Sequence, residues 1–152
     1  MSFSPNALTL TGEISVGGAV DHVFSLFSPD GEKLWVPQWD PEFLHPPGIT
    51  WERGLVFRTK EEHGDAIWIV TMLDRSHHRV EYHRVEPSRY VARVEVSCRP
   101  ISATQTQVQT SYQFIGLSDA GNSEIAAMTD TEYRMKMARW QDWINRHLEG
   151  LK

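Results

Sequence analysis

Alternation of apolar and polar side chains dominates the middle of the chain. Thr106, Val108, Thr110, Tyr112 and Phe114 oppose Gln107, Gln109, Ser111 and Gln113, the pattern of a strand with one wet and one buried face. Tyr90 to Cys98 behaves alike, with Tyr90, Ala92, Val94, Val96 and Cys98 set against Arg93, Glu95 and Ser97. Val80, Tyr82 and Arg84 alternate with Glu81, His83 and Val85. Further strands are predicted at Leu8 to Val16, Gly54 to Lys60 and Ala66 to Asp74. The last is apolar on both faces, so periodicity leaves open whether Trp68, Val70 and Met72 or Ile67, Ile69 and Leu73 face the core. Turns at 61–65, 75–79 and Pro87-Ser88 keep the links short, which implies an antiparallel meander.

The periodicity changes at both ends. Val20, Val23, Phe24 and Phe27 repeat at helical spacing until Ser28-Pro29-Asp30-Gly31 stops them, and Glu32 to Val36 predicts a second short helix before Pro37. Pro37, Pro41, Pro46 and Pro47 make 36–48 irregular, yet it carries Trp35 at its threshold, Trp39 and Phe43, which suits a roof over something apolar. From Ser118 to Leu151 the residues Ile125, Met128, Thr129, Tyr133, Met137, Trp140, Ile144, Leu148 and Leu151 recur at three- and four-residue steps. With Ser118 as N-cap and Gly150 as a left-handed C-terminal cap, this predicts one helix of about 30 residues, roughly 45 Å long. Acidic residues gather in its first half and basic residues in its second, in keeping with the helix dipole. The fold class is therefore α+β: a curved antiparallel sheet wrapped around a long C-terminal helix. A curved sheet does not fill its own concavity around a straight rod, so a cavity is expected between them.

Composition narrows the partners. The 152 residues suit a single domain spanning 1–152, and the net charge of -5 argues against nucleic acid or an anionic membrane surface. One cysteine, Cys98, excludes a disulfide within the chain and reads as a small buried residue. With no signal-like N-terminus and no apolar run of transmembrane length, a cytoplasmic protein is expected, without membrane insertion. The histidines show no metal-ligand spacing, so no metal site is expected, and no cofactor is implied.

The order of elements resembles the helix-grip fold of the START-like superfamily, which includes the birch-pollen allergen. Ile14 to Phe27, Trp35-Val-Pro-Gln-Trp39, Trp68-Ile-Val70 with Leu73-Asp74, Val80-Glu-Tyr82, Thr106-Gln-Val108 leading to Tyr112, and Leu117-Ser118 carry the likeness. They match best the SRPBCC branch, polyketide cyclase/dehydrase and lipid transport. The resemblance spans nearly the whole chain and implies a ligand pocket between sheet and helix, with the short helices near its mouth. It brings no catalytic motif.

Candidate lining residues follow from parity. Val94, Val96, Val108, Thr110, Tyr112 and Phe114 are placed inward, with Val80, Tyr82 and Arg84 beside them and Trp68, Val70 and Met72 if the even face points in. The helix adds Ile125, Met128, Tyr133 and Met137, and its Ile125–Tyr133 end is the expected ligand end. Trp35, Trp39 and Phe43 form a candidate gate. Each also has a plain reading as core or roof packing, and Arg84 as a rim residue reaching water. Hydroxyls on Tyr82, Thr110, Tyr112 and Tyr133 bring polar atoms to an apolar face, where a ligand or water would pair with them. On this reading Tyr112→Phe or Arg84→Ala would alter selectivity more than stability. The expected activity is binding or carriage of a small hydrophobic or amphipathic ligand by a monomer or homodimer. The alternatives are a cyclase/dehydrase-type enzyme acting on a poly-carbonyl substrate and a protein-interaction module. Glu81, Glu95 and His83 fall on the wet face, so parity supplies no general base.

Overall fold

The computed structural model describes residues 2–48 and 50–152. Seven strands, β1 (Ala7–Val16), β2 (Glu42–His45), β3 (Val56–Glu61), β4 (Gly64–Asp74), β5 (Arg79–Glu86), β6 (Tyr90–Ser102) and β7 (Gln105–Gly116), form one antiparallel sheet in the order β1-β7-β6-β5-β4-β3-β2. Helix α1 (Val20–Ser25) and a 3-10 turn at Gly31–Leu34 follow β1, and α2 (Asp119–Ala126) and α3 (Asp130–Glu149) follow β7. The meander and the long C-terminal helix thus stand as the sequence pattern implies.

The alternation of β5, β6 and β7 sorts their side chains as expected. Val80, Tyr82, Ala92, Val94, Val96, Cys98, Val108 and Tyr112 are all buried on one face. In β4 the even face points inward only up to Val70. A bulge sets Thr71 and Met72 together opposite Glu81, between the Val70–Tyr82 and Leu73–Val80 pairs. Thr71 then donates to the Glu81 carboxylate at 2.7 Å on the outer face, and Met72 borders a depression there with Glu95 and Ser97. Met72 is accordingly an outer-face residue and not part of an inner lining. The proline-rich segment also holds a strand that was not anticipated, β2, paired with β3 through Phe43 and Phe57.

The expected single helix is two. Ser118 caps α2 as anticipated, accepting from the Gly121 N–H, but α2 ends at Ala126. Thr129 begins α3 with a reciprocal cap: its Oγ1 accepts from Glu132 N–H at 3.1 Å and donates to the Glu132 carboxylate at 3.0 Å. Gly150 at the far end is right-handed (φ -66°), so the left-handed cap is absent there.

Helix α3 lies along β1, and Gly12 sets the distance. A Cβ on Gly12 would stand 2.8 Å from Met137 Cγ and 3.1 Å from Tyr133 Cε2, so only glycine lets the helix settle this close. Two α3 amides then satisfy the free N–H groups of this edge: Gln141 accepts from Ser15 at 3.0 Å and Asn145 from Gly17 at 2.9 Å. Val16, Ile144 and Leu148 are buried at this end of β1, with Leu148 against Gly18. Substituting Gly12→Val should lower unfolding free energy by about 1–3 kcal/mol, as overpacking does, with Gly12→Ala costing less because Met137 can shift; urea denaturation at equilibrium measures both.

Candidate functional site

With α3 tied to β1, the inner faces of β3 to β7 remain partly uncovered, and a cavity of about 300 Å³ lies between them, α3 and the segment after α1. Eight of its fifteen lining residues are aromatic, so most of the wall is flat ring surface: Trp39, Phe57, Trp68, Tyr82, Tyr90, Tyr112, Phe114 and Trp140. Phe57 and Trp68 stack with centroids 5.6 Å apart and planes 9° apart, and Trp39 meets Trp68 edge-on. Tyr90, Phe114 and Tyr112 form a second ring cluster, which reaches α3 through Trp140. A wider depression of about 620 Å³ on the outer face borders Glu13, Glu95, Ser97 and Gln109 and lacks such apolar walls.

The sequence-derived candidates divide clearly. Trp68, Tyr82, Arg84, Val94, Val96, Tyr112 and Phe114 line the cavity, and Trp39 lines it from the roof. Val70, Val80 and Val108 are closed core. Thr110 and Tyr133 lie outside the lining, with their hydroxyls bonded to each other at 2.6 Å. Ile125 is buried and Met128 half-buried at the α2–α3 junction, away from the cavity, so the ligand end of the helix region is not where it was expected. Lys136 and Trp140 line the cavity in its place. Trp35 is buried, its indole N–H held by the Leu26 carbonyl at 2.7 Å and its ring against Phe27 and Trp140. Phe43 packs on Phe57 from β2. Neither of these two aromatics lines the cavity.

Five polar groups decide the chemistry. Arg84 points inward and is consumed by the protein: it contacts Glu61 at 3.1 Å and Glu86 at 2.8 Å, and donates to the Tyr90 hydroxyl at 3.0 Å. Burial opposes its charge, but Tyr90, Glu86 and Glu61 together hold its pKa above the ordinary value. The rim reading therefore gives way to a buried network, which continues through Arg89 to Glu124. Tyr82 is also satisfied, accepting from Trp51 Nε1 at 2.9 Å and donating to the Phe27 carbonyl at 2.8 Å.

Glu32, Lys136 and Tyr112 differ. None has a hydrogen-bond or ion-pair partner among the described residues, and all three face the cavity. Burial raises the Glu32 carboxyl to about 8, against a smaller pull from Lys136. Burial likewise lowers the Lys136 ammonium to about 8, helped by Arg84 and opposed by Glu32. Both keep some accessible surface because the cavity has room for solvent, yet the protein around them removes much of their hydration. The Lys136 Nζ sits 4.0 Å from the Tyr112 ring centroid and 5.1 Å from that of Trp140, so ring faces are its main company. Sequence reasoning missed both charged groups. Glu32 lies in a turn with no period to read, but Lys136 had a signal: it stands three residues after Tyr133 and four before Trp140, on the flank of the buried stripe.

Solved structures match along almost all of the chain. Norcoclaurine synthase of Thalictrum flavum, as a point mutant with a transition-state analogue, superposes with TM-score 0.71 at 14% identity over 99% of this chain and 100% of that one. The fold is the helix grip. Ara h 8.0201 shares this fold with TM-score 0.64 at 14% identity, covering 96% of this chain and 97% of that chain. A putative uncharacterized protein from Rhizobium leguminosarum shares the helix grip with TM-score 0.65 at 16% identity, over 96% and 97%. No protein-family model matches the chain, and no curated protein matches it in sequence.

Two outcomes follow from this electrostatic arrangement. Arg84→Ala leaves the buried Glu86 with only the longer Arg89 contact and removes the Glu61 pairing, so it should reduce stability by about 2–4 kcal/mol in chemical denaturation, contrary to the expectation that Arg84 acts mainly on selectivity. Glu32 works through pH. Unfolded it ionises near 4.5 and folded near 8, so between these values the folded state holds a proton the unfolded state has lost, and stability falls as pH rises. Lys136 acts oppositely at higher pH, adding stability from about 8 towards 10.5. Between pH 5 and pH 8 the parent chain should lose about 1–3 kcal/mol more than Glu32→Gln, read from denaturation curves at the two pH values.

Proposed function

We propose that this chain binds or carries a small, largely aromatic molecule bearing one oxygen-containing polar group, held in the cavity between sheet and α3. The observation that carries the reading is the pairing of aromatic walls with three polar groups, Tyr112, Lys136 and Glu32, that have no protein partner among the described residues. Ring faces such as Trp68 and Phe114 supply apolar contact, and a buried polar group without a partner favours a ligand that brings one. A volume of about 300 Å³ suits one or two rings. The Lys136 ammonium and the Tyr112 hydroxyl would receive a phenolate, carboxylate or carbonyl oxygen. The protonated Glu32 carboxyl can donate as well, whereas Arg84 already has its carboxylates. Support by analogy comes from the same fold in norcoclaurine synthase, solved with dopamine and hydroxybenzaldehyde, at TM-score 0.70 and 13% identity over 98% of this chain and 90% of that chain.

Calorimetric titration with naphthols, phenylacetate and hexanoate tests this. One-to-one binding is expected for the ring compounds and weaker binding for hexanoate. Val94→Phe, which extends a wall residue into the cavity, should weaken ring binding at least tenfold while the thermal midpoint stays within a few degrees. Equal affinity for all probes, or unchanged affinity in a folded Val94→Phe variant, would contradict the reading.

A further inference from the structure

One amine among the described residues lines the cavity, and its setting points beyond reversible binding. The chain has four lysines, Lys33, Lys60, Lys136 and Lys152, and the other three are exposed. Lys136 alone projects into the cavity, with its Nζ over the Tyr112 and Trp140 rings and no carboxylate in ion-pair contact among the described residues. An amine so placed lacks both the hydration and the ion pair that normally hold its proton. Arg84 and Arg139 add like charge, and Glu32 is the one opposing group that acts on it. Glu32, also in the lining, is an acid that remains protonated at neutral pH, since burial lifts it to about 8. Near pH 8 part of Lys136 is free amine and part of Glu32 is protonated, so one apolar chamber holds the nucleophile and the acid that condensation with a carbonyl requires.

From this we infer that Lys136 is a nucleophilic amine that forms an imine with an aromatic aldehyde or ketone bound in the cavity, with Glu32 as its proton donor. The inference rests on the binding reading above and adds covalent chemistry to it. The Lys136 nitrogen lone pair attacks the carbonyl carbon, and the carbonyl π pair moves to oxygen, which takes the Glu32 proton. The amine proton returns to the Glu32 carboxylate, leaving a neutral carbinolamine. Glu32 then protonates the hydroxyl, the C–O bond breaks with loss of water, and the nitrogen proton passes back to Glu32. The sum is R–CHO + Lys136–NH2 giving R–CH=N–Lys136 + H2O, with no change of oxidation state. Tyr112, whose hydroxyl lacks a protein partner among the described residues, would orient the carbonyl oxygen.

The test uses benzaldehyde as probe and sodium borohydride as trap, the hydride reducing the imine to a stable secondary amine that peptide mass spectrometry locates. Labelling at Lys136 at least tenfold faster than at Lys60 is expected at pH 8. The Lys136 rate should fall towards pH 6, where Lys136 is protonated, with the ratio held, and the ratio should narrow near pH 10.5, where an ordinary lysine also becomes neutral. Lys136→Met should remove that fast label and Lys60→Met should leave it unchanged, while the parent chain binds benzyl alcohol in calorimetry. Glu32→Gln should slow labelling about tenfold and leave the site of labelling unchanged. Equal labelling of all four lysines with intact benzyl alcohol binding would overturn the imine and leave the binding reading standing. Loss of both in the parent chain would overturn the two together.

Discussion

Everything in this molecule depends on how closely α3 approaches β1. A straight helix touches a curved sheet along one line, and Gly12 fixes that line at the sheet's edge by leaving space for Met137 and Tyr133. Gln141 and Asn145 then secure the helix to the backbone N–H groups of Ser15 and Gly17, which also shields the edge strand. Because the helix is committed to one edge, the inner faces of β3 to β6 cannot reach it. Rings from those strands and the segment around Trp39 close only part of the gap. The cavity is thus a geometric consequence of the seating and not a packing fault.

That geometry also sorts the charges. Arg84, Glu61, Glu86 and Arg89 sit where strands and turns can pair them, so the low-dielectric surroundings strengthen a closed network. Glu32 and Lys136 come from elements on other sides of the cavity and find no such partners. Burial therefore drives the carboxyl up and the ammonium down until both titrate near pH 8. Groups poised in this way are a drain on stability with no structural return, and perturbed titration of this kind gathers at functional sites. Here it coincides with the most aromatic surface of the protein.

How far the sequence could be read follows from what each segment faces. The strands β5 to β7 and their inward residues Tyr82, Val94 and Tyr112 were legible because one side of the sheet is wet and the other dry. Strand β4 was not, since its two faces are both apolar and a bulge at Thr71-Met72 reverses parity midway. One stripe of apolar residues ran through two helices and concealed the Thr129–Glu132 cap, although its Thr-x-x-Glu spacing is visible in the sequence. The short strand β2 was hidden by prolines on both sides. Arg84 was visible as an inward arginine, but its partners Glu61 and Tyr90 come from other strands, beyond any local pattern. Lys136 and Glu32 were missed for a related reason: an isolated charge beside an apolar stripe reads as solvated until the opposite wall is known.

The claim that the space between sheet and α3 is a ligand site is tested most directly by crystallography with 4-bromophenol, whose bromine can be located by anomalous scattering. The account predicts one dominant bromine peak inside the cavity, among Trp68, Tyr112 and Trp140, with the phenol oxygen towards Lys136. Bromine found only in the outer-face depression near Glu95 and Gln109, with the interior cavity empty, would contradict it.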